Sequence, residues 1–175
     1  AARFFLFASR DIWFVVALPV YLQSQLGWTY LAVGSLLASW LIAYGAVQAF
    51  APRITGTKPD GRSAYLWAAI LTVLPALIGT ALLINWHVET VLVLGLLFFG
   101  AVFAINSSVH SYLIVAWARQ DGVSLDVGFY YMANAAGRLV ATILSGLIYQ
   151  QWGLAACLFG SAALVLSSAL LARKL

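Results

Sequence analysis

Charge is the scarcest commodity in this sequence. Only 8% of its 175 residues are Asp, Glu, Lys or Arg, against 64% hydrophobic, and the mean hydropathy is +0.98. Soluble domains carry roughly a quarter charged residues, so a water-facing fold is excluded and the chain reads as an integral membrane protein. The single cysteine, Cys157, excludes an internal disulfide and reads as a small buried hydrophobe in its apolar run. The two-residue alternation of barrel strands is missing. So is a signal peptide: the first apolar run lacks a small-residue cleavage site, and similar runs recur to the end of the chain. There is no low-complexity segment and no linker, and neither a metal nor a cofactor is expected.

What is present is a set of six apolar runs: Phe4–Leu22, Thr29–Phe50, Ala64–Ile84, Val91–Ala118, Phe129–Tyr149 and Leu154–Leu171. Each is near the ~20 residues that cross a bilayer as a helix, and the fourth is longer. Turn chemistry separates them at Gln25-Leu26-Gly27, Lys58-Pro59-Asp60-Gly61, Asp121-Gly122 and Trp152-Gly153. The expected fold class is therefore an all-α integral membrane bundle of six transmembrane helices. Arg3, Arg53, Lys58, Arg62, Arg119, Arg173 and Lys174 fall on one side of it, and the opposite loops (23–28, 85–90 and 150–153) hold no Lys or Arg. Cytoplasmic loops collect positive charge, so both termini are expected inside. The net charge of +4 then encodes topology and not a nucleic-acid surface.

Two basic residues escape that sorting. Arg10 and Arg138 lie within spans, where an arginine at the bilayer centre costs ~2.5–3.5 kcal/mol and faces protein or water. At ~1.5 Å per residue, Arg138 is roughly 15 Å past Gly128, about the midplane, and Arg10 roughly 10 Å past Arg3. In the fifth run Tyr131, Asn134, Arg138, Thr142, Ser145 and Tyr149 recur at steps of three and four, a polar stripe on one helical face. Beside it Ala133, Gly137, Ala141 and Ser145 form a small-residue row that lets another helix approach closely. The fourth run places Asn106, Ser107, His110 and Ser111 on one broad face, and the second offers Trp40, Tyr44 and Gln48. Trp40 reads best as ordinary packing. Runs three and six have no charged or amide residue and read as peripheral, lipid-facing support.

Asp11 is the only acidic residue inside a run. It neighbours Arg10, yet side chains at i and i+1 diverge by ~100° on a helix, so the two need not pair. The expectation is a pair of guanidinium groups left unneutralised by protein partners beside a wet cavity. Arginine suits phosphate-like anions because its planar fork donates two parallel hydrogen bonds. The candidate substrate-binding residues are Arg10, Arg138, Asn106, His110, Tyr131, Asn134, Tyr44 and Gln48. Asp11 and His110 are the candidates for ion coupling.

Six spans with strong polarity confined to the first, second, fourth and fifth resemble half of a major facilitator superfamily (MFS) transporter, in which each half is a pair of inverted three-helix repeats. The loop TGTKPDGRSAY is similar to a degraded form of that family's cytoplasmic loop through Gly56, Asp60, Gly61 and Arg62. The strings RDIWFV and YYMANAAGR, within longer runs, resemble the C-terminal half of organoarsenical-efflux MFS permeases from bacterial arsenic-resistance operons. The resemblance covers nearly the whole chain. It implies that residues 1–175 are one six-helix bundle, that a six-helix N-terminal half belongs before Ala1, and that the protein sits in the bacterial inner membrane. It also implies the cargo, 1-arseno-3-phosphoglycerate, which forms when glyceraldehyde-3-phosphate dehydrogenase uses arsenate in place of phosphate. The dehydrogenase is thus an implied functional partner, beside the small anion and the lipid bilayer. The resemblance does not identify contact residues.

Three rival readings remain. The cargo is another phosphorylated or organic anion; or the chain is a purely structural membrane subunit; or Ser145-Gly146 and His110 belong to an intramembrane serine protease. Ile143 stands where the protease signature needs glycine, and His110 precedes the serine, which disfavours the last.

Overall fold

The computed structural model describes residues 1–56, 58–118 and 123–173, with the backbone alone at 123. Arg119, Lys174 and the Asp121-Gly122 turn lie outside the described residues. Regular structure among the described residues is entirely helical: α1 Ala2–Phe14, α2 Ala17–Ser24, α3 Tyr30–Thr55, α4 Gly61–Leu83, α5 Val88–Trp117 and α6 Val123–Ala172.

The first apolar run is one crossing in two pieces. Pro19 has no N–H, and its ring crowds the carbonyl four residues back, so the ladder opens at Val15 and Val16. The Ala17 N–H, freed by the break, donates to Ser145 Oγ at 3.2 Å. The ladder resumes with Val20 N–H on the Val16 carbonyl at 3.2 Å. At the other end of the chain Gly153 adopts φ 76 and ψ −174 inside α6, a conformation open to glycine. Ser145 and Cys157 would lie ~18 Å apart on a straight helix, yet Cys157 Sγ is 3.7 Å from the Ser145 carbonyl oxygen. Thus α6 is a hairpin with limbs 123–152 and 154–172. The six runs become six apolar crossings, as the sequence pattern predicts.

Helices in lipid gain no hydrophobic drive for association, so close packing and interhelical hydrogen bonds hold them. The small-residue row of α6 seats α1: a Cβ on Gly137 would strike the Phe4 carbonyl oxygen, and Ala141 and Ser145 are fully buried. Between α1, α3 and α5 aromatic rings fill the space. Ring centroids lie 5.3 Å apart for Trp13 and Phe99, 5.2 Å for Phe7 and Phe103, and 4.4 Å for Phe14 and Trp40. Gly100 gives Trp40 room to donate its Nε1–H to the Leu96 carbonyl at 2.8 Å. Trp40 is therefore a packing residue.

Runs three and six each bury one face and leave the other outward. Ala64, Ala68 and Leu71 of α4, and Leu154, Cys157, Leu158 and Val165 of the second limb, are buried. Gly79 brings α4 onto Leu158 and Phe159. Only the outward faces, such as Leu66, Ile70 and Leu77, are exposed. The least enclosed span is α3, which packs chiefly on α5, with α2 and Phe14 of α1 also against it.

Helix ends follow capping rules. Thr29 accepts the Ala32 N–H at 3.2 Å and Asp60 accepts the Ser63 N–H at 2.9 Å. The Ser63 bond holds the Asp60 carboxyl below the ordinary aspartate range. Glu89, in the first turn of α5, takes the Trp28 indole N–H at 2.9 Å.

Candidate functional site

One face of α1 carries Arg3, Phe7 and Arg10, at steps of four and three. It points to α5 and to the first limb of α6, and the polar groups of all three helices meet there. Asp11 lies at the centre, 1% exposed. Its Oδ1 accepts Arg10 Nε at 2.6 Å and its Oδ2 accepts Arg138 Nε at 2.8 Å.

This corrects two expectations. Arg10 and Asp11 do pair, because adjacent Cα atoms are only ~3.8 Å apart and a long arginine can bend sideways to a carboxylate that has no water to turn to. Neither guanidinium is free of protein partners. One carboxylate cannot neutralise two arginines, however, and the triad keeps one net positive charge. Each guanidinium has five N–H donors, and only the Nε bonds to Asp11 are made among the described residues. Arg10 is buried, not drawn out to headgroups, whereas the Arg138 side chain is 53% exposed.

Arg3 is the residue that the charge-sorting argument misplaced. It is not a surface topology charge but is buried, 8% exposed. Its η1 nitrogen donates to the Ser107 carbonyl at 2.9 Å. Its guanidinium carbon sits 4.1 Å from the Phe7 ring centroid and 4.5 Å from that of Tyr130. Arg10 lies 5.4 Å from the same Phe7 centroid. The two guanidinium carbons are therefore within about 9.5 Å of each other, the sum of their distances to that ring. At that separation and an effective dielectric near 20, like charges repel by about 2 kcal/mol. The sequence held a signal for this: the Arg3–Phe7–Arg10 spacing marks a shared face.

The other candidates divide. Asn106 and His110 are buried beside Ser107, and the Asn106 amide atoms, Ser107 Oγ and His110 Nε2 find no hydrogen-bond partner among the described residues. Asn134 is half-buried with its Oδ1 likewise unpartnered. Tyr44 stacks on Trp40 at 5.5 Å and lies 6.0 Å from Phe103. Gln48 is half-buried one turn further along α3. Tyr131 is 61% exposed and stands outside the cluster. Its neighbour Tyr130 takes the inward position, its hydroxyl 2.9 Å from Ser111 Oγ. Ser145 is fully buried and holds the break in α1.

Six apolar crossings around a buried, net-cationic cluster suit a carrier. The family model described as Major Facilitator Superfamily matches residues 1–175. The chain belongs to the Major Facilitator Superfamily. No curated protein and no solved structure matched it. As a member of this superfamily it is a multi-pass membrane transporter, and the charged cluster midway along the first crossing and the first limb of α6 is its candidate substrate site.

Proposed function

We propose that this MFS protein is an efflux permease for a small organic anion, 1-arseno-3-phosphoglycerate, in the bacterial inner membrane, and that it confers arsenate resistance. The observation that carries the reading is the Asp11 carboxylate shared between Arg10 and Arg138, which leaves one uncompensated positive charge on a half-open face. At ~4 Å and an effective dielectric near 20, each charge pair with an anion contributes about 4 kcal/mol. Asn106, His110, Asn134 and Tyr44 supply hydrogen-bonding groups around it; Gln48 stands further along the same wall. Asp11 and His110 are the groups that can carry a coupling proton. The arsenic assignment itself rests on the resemblance of RDIWFV and YYMANAAGR to the organoarsenical permeases.

Transport is by alternating access: this bundle rocks against six further helices seated on the exposed faces of α3 and of the first limb of α6, with the cargo held between them. Uptake of the arseno-ester into everted vesicles from cells producing the protein tests the proposal. Arg138→Gln, at an unchanged level of protein in the membrane, is expected to lower uptake at least tenfold. Undiminished uptake would remove Arg138 from the mechanism. Competition by other phosphorylated three-carbon acids tests the choice of cargo.

A further inference from the structure

Arg62 and Arg173 are far apart in sequence yet share one hollow. Ala64, two residues past Arg62, and Ala172, just before Arg173, are fully buried in one apolar cluster with Val109 and Leu113. That packing seats the start of α4 against the end of α6. Beside it opens a cavity of about 360 Å³, lined by Gly61, Arg62, Tyr65, Leu66 and Arg173. Both arginines are exposed, and neither forms an ion pair among the described residues. Asp60 lies near enough to Arg62 to feel its charge, but its carboxylate is committed to the Ser63 N–H as the cap of α4. With Asp60 counted against the two arginines, the described side chains around the hollow keep one positive charge. From its floor an apolar stripe runs along α4. Leu66, Ile70, Val73 and Leu77 recur at steps of four, three and four, and all are exposed. The stripe is ~16 Å long at ~1.5 Å per residue, which is the depth of one leaflet of a ~30 Å hydrocarbon core. Tyr65, half-buried at the mouth, is of the residue type that favours the headgroup level.

We propose that this hollow binds an anionic phospholipid, its phosphate on Arg62 and Arg173 and an acyl chain along the α4 stripe. Guanidinium forks match phosphate oxygens, and basic pockets between transmembrane helices take anionic headgroups. A free phosphate would meet the arginines alone, whereas the stripe beneath them fits a hydrocarbon chain. None of the lining residues belongs to the Asp11 cluster, so the lipid site does not depend on the permease reading.

The test counts lipids retained by the purified protein in a neutral detergent, by native mass spectrometry. The probes are phosphatidylglycerol and phosphatidylcholine with the same chains. Wild type is expected to prefer phosphatidylglycerol at least tenfold, because each arginine near an anionic headgroup contributes about fivefold. Replacing both Arg62→Gln and Arg173→Gln is expected to bring that preference within twofold. Replacing both Arg53→Gln and Lys58→Gln removes the same charge from the same end of the bundle, and should leave the preference above fivefold. Excess inorganic phosphate, at constant ionic strength, should displace less than half of the bound phosphatidylglycerol. A preference that survives loss of Arg62 and Arg173, or falls equally with loss of Arg53 and Lys58, overturns the site. Displacement of most of the lipid by phosphate overturns the choice of ligand, and a wild type without preference overturns the proposal outright.

Discussion

At Asp11 two oxygens serve two guanidinium groups, one 9% and the other 53% exposed in its side chain. That asymmetry sets what each substitution does. Asp11→Asn keeps one acceptor but presents an amide NH₂ to an arginine and strips the buried Arg10 of its counter-charge. Breaking a buried pair from one side costs about 3–5 kcal/mol. Arg138→Gln removes the exposed partner, where a pair contributes about 1 kcal/mol or less. Thermal unfolding in one detergent should therefore place Asp11→Asn well below Arg138→Gln, with the latter near wild type. The reverse order would mean that Asp11 does not hold the cluster together. The same ordering lets a transport loss in Arg138→Gln be read as lost chemistry and not as lost fold.

Among the elements, the contact of α1 with the first limb of α6 does most to place the site, because it sets the Asp11–Arg138 distance. It depends on a missing methyl group. At Gly137 a Cβ would meet the Phe4 carbonyl oxygen, which belongs to backbone and cannot swing aside; at Gly146, nine residues on in the same limb, a Cβ would meet nothing within 4 Å. Gly137→Ala is expected to destabilise by about 1–3 kcal/mol through overpacking. Gly146→Ala should be neutral or gain up to about 1 kcal/mol from helix propensity. Melting of the two variants side by side checks this. Equal behaviour would show that the seam tolerates a wider spacing. Gly137 is next to Arg138, so its replacement should also weaken the anion binding proposed above.

For the whole molecule, the described basic residues Arg53, Lys58, Arg62 and Arg173 are exposed at one end of the bundle, and the loops at the other end have no Lys or Arg. On the positive-inside rule we propose that this basic end faces the cytoplasm. Cysteine substitution at two exposed loop positions measures it. Lys58→Cys should react with a membrane-impermeant reagent in everted vesicles, and Gln25→Cys only from the opposite face. Labelling of both from one side would break the six-crossing topology, and a swap of sides would overturn that orientation. The half-exposed Arg138 argues at the same scale. A midplane arginine is costly against acyl chains, so its face belongs to a water-filled path or to a second bundle.

Hydropathy and charge placement alone determined the membrane class, the six crossings and the small-residue row on α6. Each follows from an arithmetic of burial and period that needs no partner helix. The sequence also marked Arg10, Arg138 and Asp11, because charge inside an apolar run is costly wherever it points. What tertiary structure decided was pairing. It bound both arginines to a single carboxylate, turned Tyr130 inward in place of Tyr131, and drew Arg3 from the presumed surface into the bundle. Those outcomes depend on which helix faces meet, and side chains from α1, α5 and the first limb of α6 come within hydrogen-bonding range only once α1 has packed along the Gly137 seam.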